Sequence, residues 1–188
     1  VAGRIGATHA LVYALTISVM SAVILGVAVN WLAASLAMLG LGLYVFLYSL
    51  WLKRTTTQNI VIGGAAGAVP PLVGWAAADG SVGLGALILF AIVFFWTPPH
   101  FWALALLLKK DYAEAGVPML PVIRGVEETA RQVLVWTVAL VGVSLLPVAA
   151  GVSGGLYFGS ALALGGLFTS ARLRGQGTAE PQVGGPST

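Results

Sequence analysis

The sequence contains no cysteine. That excludes a disulfide framework and any thiolate-bound metal. Charge is almost as scarce. Charged residues make up 8% of the chain, where a soluble domain carries about 25%. A chain this poor in charge cannot cover its own surface with polar groups, so the class is integral membrane protein. A strand-like alternation of polar and apolar residues is missing too. A backbone facing lipid must satisfy its own hydrogen bonds, so the fold class is all-α. No nucleic acid is expected among the partners.

What is present is apolar sequence: 59% of the 188 residues are hydrophobic and the mean hydropathy is +0.96. A span needs about 20 apolar residues. Six segments meet or approach that length, at about 9–29, 31–52, 59–78, 82–108, 130–150 and 154–172. Together, residues 1–172 read as one polytopic transmembrane domain. Residues 173–188 are polar and rich in Gly and Pro, and read as a disordered tail. The first apolar run is too long for the ~7–15-residue core of a signal peptide. The start at Val1 reads as internal to a longer protein.

The basic residues test this topology. All nine Lys and Arg fall at Arg4; at Lys53 and Arg54; at Lys109, Lys110, Arg124 and Arg131; and at Arg172 and Arg174. Those places are the start, every second connection, and the tail. The intervening connections "VNW", "AADGS" and "GVSGG" hold none. The positive-inside rule therefore puts both ends and the 109–129 loop in the cytoplasm. That loop carries Asp111, Glu114, Glu127 and Glu128, four of the six acidic residues. A long charged loop on an otherwise minimal chain is either a solvated connector or a functional segment.

Several residues then stand out. Lys53 and Arg54 close the second span and are followed by "TTTQN", ending at Asn59. Cations, hydroxyls and amides at a membrane face suit an anionic group such as phosphate, and equally suit a topological anchor. Asp111, with Glu114 one turn on, could hold Mg²⁺ together with substrate phosphates, because Mg²⁺ takes one or two carboxylates and keeps waters. Lys109 and Lys110 lie beside it.

His100 is the most unusual residue, lying in "FFWTPPHFWALALLLKKDY". Ionisable groups inside spans are costly and are functional candidates. The alternative is a histidine bonded to a carbonyl freed by Pro98 and Pro99. From His100 to Asp111 the helical phase returns to within ~20° of one face. Trp96 and Leu107 share that stripe. The two prolines, and the earlier "GGAAGAVPPLVGW", predict two adjacent broken helices, either with a cavity between them or simply kinked for packing. Aromatic residues crowd the same region, with Phe94, Phe95, Trp96, Phe101 and Trp102 either packing or lining a wall for a cation or flat ligand.

Two stretches carry a resemblance: "LKRTTTQNIVIGGAAGAVPPLVGW" and "WTPPHFWALALLLKKDYAEAGVPMLPV". They closely resemble the protohaem IX farnesyltransferases (haem O synthases), a branch of the UbiA-type intramembrane prenyltransferases. The likeness covers about residues 1–170.

The resemblance implies a bundle of nine transmembrane helices around a cavity, of which the six spans here would be the third to the eighth. It also implies a multi-pass protein of the cell (inner) membrane, with Mg²⁺ as cofactor. Haem B and farnesyl diphosphate would be the substrates, and haem A synthase or an oxidase-assembly factor a partner. The reaction would make haem O for terminal oxidases. Asp111 would bind the metal, with Glu114, and Lys53, Arg54 and Lys110 the diphosphate. Trp96, His100, Phe101, Trp102 and Asn59 would line the haem or prenyl cavity, and Asp111 and His100 would be catalytic, His100 by orienting or ligating the haem or by handling protons. The family's first Asp-rich motif and its final helix have no counterpart here, so the 188 residues alone are expected to be a fragment with little activity. Two other readings stand beside this one: a prenyltransferase for a quinone precursor, and half of a transporter.

Overall fold

The computed structural model describes residues 6–177, except for the side chains of Arg54 and of 172–177. Every regular element in that range is helical. The first long rod is α1 (Ala7–Ala28). Next comes α2 (Trp31–Gly42), which passes into a π-helical segment, Leu43–Leu52, and ends in the single turn α3 (Lys53–Thr55). The following rod is built from α4 (Asn59–Gly67) and α5 (Pro70–Asp79). The longest single helix is α6 (Leu84–Leu107). Three shorter elements and the last two rods follow: α7 (Lys109–Glu114), α8 (Leu120–Ile123), α9 (Gly125–Ser144), α10 (Leu146–Ala149) and α11 (Gly155–Gly177).

Five stretches are long and apolar enough to cross a membrane: Ala7–Ala28, Trp31–Leu52, Asn59–Asp79, Leu84–Leu107 and Gly125–Ala149. The sixth expected span corresponds to a shorter apolar stretch, Gly155–Ala171. Helix α11 continues through residue 177, and residues 178–188 of the expected tail lie outside the described residues, as does Arg4.

The rods pack in a row. Helix α1 lies on α2, α2 on α5, α4 and α5 on α6, α6 on α9, and α9 on α11. The α6–α9 pair is the most extensive contact. No substantial packing joins α1 to α11 among the described residues, so the row does not close on itself.

The side chains explain why this works in lipid. The buried positions are dominated by small residues such as Ala33, Ala68, Ala76, Ala86 and Ala105, all fully covered. Large apolar residues point outward instead: Tyr13, Leu107 and Leu156 are 70%, 82% and 89% exposed. In hydrocarbon there is no gain from burying a leucine against another leucine. Helices associate there through close backbone approach and buried polar contacts. Gly64 shows the point, since a Cβ added there would stand 3.1 Å from Thr97 Cγ2. Gly63 admits the ring of Tyr48 at a spot where a Cβ would collide with it.

The two proline pairs behave differently. Pro70 and Pro71 open α5 after a real interruption at Ala68 and Val69, where the chain needs no amide donor from the prolines. Pro98 and Pro99, expected to break the next span, do not, and α6 runs on through them. The carbonyls of Phe94 and Phe95 lose their usual donors. The turn sits where both prolines are buried, and the Thr97 hydroxyl donates to the Val93 carbonyl at 2.8 Å, adding a bond to the weakened turn.

Candidate functional site

The connections 52–58 and 107–124 meet at one end of the row. Ile60, at the start of α4, packs in one buried cluster with Trp102 and Ala105 of α6, Met119 and Leu120 around α8, and Val133 of α9. Tyr112, Val117, Val122 and Trp136 surround it. The 109–129 segment is therefore not a free solvated loop. Met119, Leu120 and Pro121 turn inward and are buried. That anchors α7, the helix of Asp111, beneath the end of α6.

At this end, Lys53, Lys110, Asp111 and Glu114 are all exposed, and Lys109 is half-buried. The Arg54 side chain lies outside the described residues. Among the described residues one ion pair forms, where Arg131 donates to Glu128 at 2.9 and 3.0 Å. Among the described residues, Lys53, Lys110 and Asp111 therefore keep their charges uncommitted. Asp111 stands in the first turn of α7, where a negative charge is favourable. No group of three or more metal-capable side chains forms among the described residues. The donor set of Asp111 and Glu114 fits one hard cation that draws its other ligands from water and substrate phosphates. It does not fit a cage built by the protein alone.

The expected stripe from Trp96 to Asp111 is not continuous. Helix α6 ends at Leu107, and Leu108 leaves helical geometry with φ −102° and ψ 23°. Asp111 then starts from a new helix axis. The upper part of the stripe is intact. His100 stacks on Trp96 with ring centroids 4.4 Å apart and an interplanar angle of 17°, and Phe101 meets His100 edge-on at 5.4 Å. All three are exposed on the flank of α6, Trp96 at 46% and Phe101 at 39%. His100 makes no hydrogen bond to a freed carbonyl.

Trp102 lies elsewhere. It is 1% exposed and points between α6 and α9, meeting Trp136 at 6.3 Å. Phe94 and Phe95 meet the same Trp136 at 6.0 and 5.4 Å. The aromatic stretch thus splits into an outer group around His100 and an inner group around Trp136. Trp136 was not legible in the sequence because it sits in an apolar run broken only by Thr137, with no charged neighbour or spacing to mark it.

Asn59 is buried, at 1% exposed. Its amide donates to the Lys53 carbonyl at 3.3 Å and so ties both ends of the basic turn.

These features define a polytopic helical membrane protein with a basic, carboxylate-bearing end set over an aromatic interior. The chain matches the model of the UbiA prenyltransferase family over residues 1–182 and belongs to that family. It is 55% identical over 178 residues to a protohaem IX farnesyltransferase of Roseiflexus sp., covering 94% of this chain and 33% of that protein. The protohaem IX farnesyltransferase of Gloeobacter violaceus is 56% identical over 164 residues, 87% of this chain and 54% of its own length. That of Rhodopseudomonas palustris is 54% identical over 172 residues, 92% of this chain and 55% of its own. The chain thus spans between a third and somewhat over half the length of these curated relatives. No solved structure matches it.

Proposed function

We propose that this chain belongs to an enzyme that transfers the farnesyl group of farnesyl diphosphate to a vinyl group of haem B, making haem O for terminal oxidases. The supporting observation is geometric. The turn that begins at Lys53 and the helix that carries Asp111 are held at one end of the bundle by the Ile60–Trp102–Met119 cluster. The names of the relatives supply the substrate pair.

In this reading Lys53, Arg54 and Lys110 bind the diphosphate. Their charge favours breaking the bond between the allylic carbon and the diphosphate oxygen. Asp111 would hold Mg²⁺, with Glu114 assisting through water, and the metal would neutralise charge developing on the leaving group. The farnesyl cation is sheltered from water among aromatic and apolar side chains. The vinyl group's terminal carbon bonds to it, and water adds to the adjacent carbon with loss of a proton, which leaves a hydroxyethylfarnesyl group. Trp96, His100 and Phe101 form the flank against which a flat acceptor stacks.

The 188 residues alone carry a single Asp111–Glu114 pair for the metal and are expected to turn over slowly. The protein would lie in the cell (inner) membrane with the 109–129 segment in the cytoplasm. Haem propionates favour that basic face, and haem A synthase or an assembly factor would receive the product.

The test is to supply the natural polypeptide carrying this sequence with haem B, farnesyl diphosphate and Mg²⁺, and to identify the product by mass. Haem O is expected. A prenylated quinone precursor in its place, or substrate flux across liposomes without covalent product, would overturn the reading.

A further inference from the structure

The end of the bundle opposite Lys53 and Asp111 holds one charged side chain among the described residues, Asp79. The connections at that end, 29–30, 80–83 and 150–154, carry no Lys, Arg or His. Asp79 is the last residue of α5, and Gly80 closes the helix with φ 69°. A carboxylate there lies at the negative end of the helix dipole, a poor place for it unless a cation joins it. Asp79 is exposed and forms no ion pair among the described residues. Ser81 donates to its Oδ2 at 2.7 Å, which holds the carboxylate still and leaves Oδ1 open.

The main chain adds acceptors at the same point. The last carbonyls of a helix have no helical donor. That of Ala76 is already used, by the Gly80 amide at 2.9 Å and the Asn30 side chain at 2.8 Å. Those of Ala77, Ala78 and Asp79 are left for a donor from outside the helix. A carboxylate, a negative helix end and open carbonyls together suit a cation with several N–H bonds. A primary ammonium has three.

Below Asp79 the surface turns apolar. A groove of about 510 Å³ runs between α5 and α6, lined by Pro71, Gly74, Trp75, Ala78, Asp79 and Leu89. The α5 positions recur at three- and four-residue spacing, so they form one stripe along the helix. Pro71 lies eight residues before Asp79, about 12 Å deeper at 1.5 Å per residue. The ring of Trp75 stands against Gly85 of α6, where an added Cβ would collide with it, and closes one wall. Gly74 keeps the groove open, since a Cβ there would meet nothing within 4 Å. The shape thus asks for a cationic head at the membrane boundary and an apolar chain beneath it.

We propose that this groove binds an aminophospholipid of the leaflet at the nearly uncharged end, with the headgroup ammonium on Asp79 and an acyl chain along Gly74 and Leu89. The site stands apart from farnesyl transfer and does not depend on that reading. Charge and donors select among lipids. Phosphatidylethanolamine brings a cation with N–H bonds. Phosphatidylcholine brings the charge without a donor, and phosphatidylglycerol brings no cation at all. Trp75 takes the place of a tryptophan at the membrane boundary, with its ring beside the headgroup.

The test reconstitutes the natural polypeptide in nanodiscs that hold phosphatidylcholine, phosphatidylethanolamine and phosphatidylglycerol in equal parts. Native mass spectrometry then counts the lipids that stay bound on release. One ethanolamine lipid should be retained at least about fivefold more often than either other lipid. Asp79→Asn should abolish that preference. Gly74→Leu should abolish it too, because the leucine side chain fills the groove from an open position. It removes no charge and no hydrogen bond, so that arm stays readable if Asp79→Asn does not accumulate. Equal retention of the three lipids, or a preference that survives either substitution, would overturn the proposal. So would an Asp79→Asn variant that loses thermal stability while its lipid retention is unchanged, because that result assigns the carboxylate to a cation elsewhere in the polypeptide.

Discussion

At the scale of single residues, the histidine and the tryptophan of "PPHFW" have opposite dependences. Trp102 is enclosed between α6 and α9, and its ring is held by Trp136 and the Ile60 cluster. Removing it leaves a large cavity. Trp102→Ala should cost about 3–5 kcal/mol of stability, read as a lower unfolding temperature in detergent. His100 is exposed and touches the rings of Trp96 and Phe101. His100→Ala should leave that temperature almost unchanged and lower turnover instead. A large fall in stability for His100→Ala would mark the histidine as a packing residue. The sequence showed both residues as unusual but could not separate them. They are two positions apart on a helix, and which face meets α9 depends on the partner helix.

At the scale of elements, the apolar runs and the basic residues were enough to locate the rods, because in lipid a rod must be both long and uncharged. The break at Ala68–Val69 was legible as well, since Pro70 and Pro71 follow a glycine-rich stretch. The uninterrupted path of α6 through Pro98 and Pro99 was not, because local rules for proline omit the packing that buries that turn. Nor was the inward fold of the segment after α7. Its apolar residues are few, and their burial depends on the ends of α6 and α9. That fold yields a prediction. Leu120→Asp places a charge in the cluster that anchors α7 and α8. Trypsin should then cut after Lys109, Lys110 or Arg124 at least about tenfold faster than in the unaltered protein, as followed by mass spectrometry. An unchanged cleavage rate would show that the segment is held by something other than this cluster.

At the scale of the whole molecule, one end of the bundle is polar and the other nearly uncharged. These 188 residues hold no cysteine, so single cysteines placed in them report directly once any elsewhere in the natural polypeptide are replaced. Single cysteines at Ser81, in the connection after α5, and at Glu114, on α7, should react oppositely with a membrane-impermeant thiol reagent. In intact cells Ser81→Cys should label and Glu114→Cys should not, whereas inside-out vesicles should reverse the pattern. Labelling of both from one side would undo the topology, and with it the joint placement of Lys53 and Asp111.

The central claim is that the exposed carboxylate of α7 and the basic turn before α4 act on one diphosphate. The most direct measurement compares the natural polypeptide with its Asp111→Asn variant for farnesyl-diphosphate-dependent formation of haem O at saturating haem B. The substitution removes the charge and keeps the shape at an exposed position, so the amount of folded protein in the membrane should not change. Turnover should fall at least about a hundredfold, and more Mg²⁺ should not restore it. Turnover within about twofold of the unaltered protein would contradict the claim.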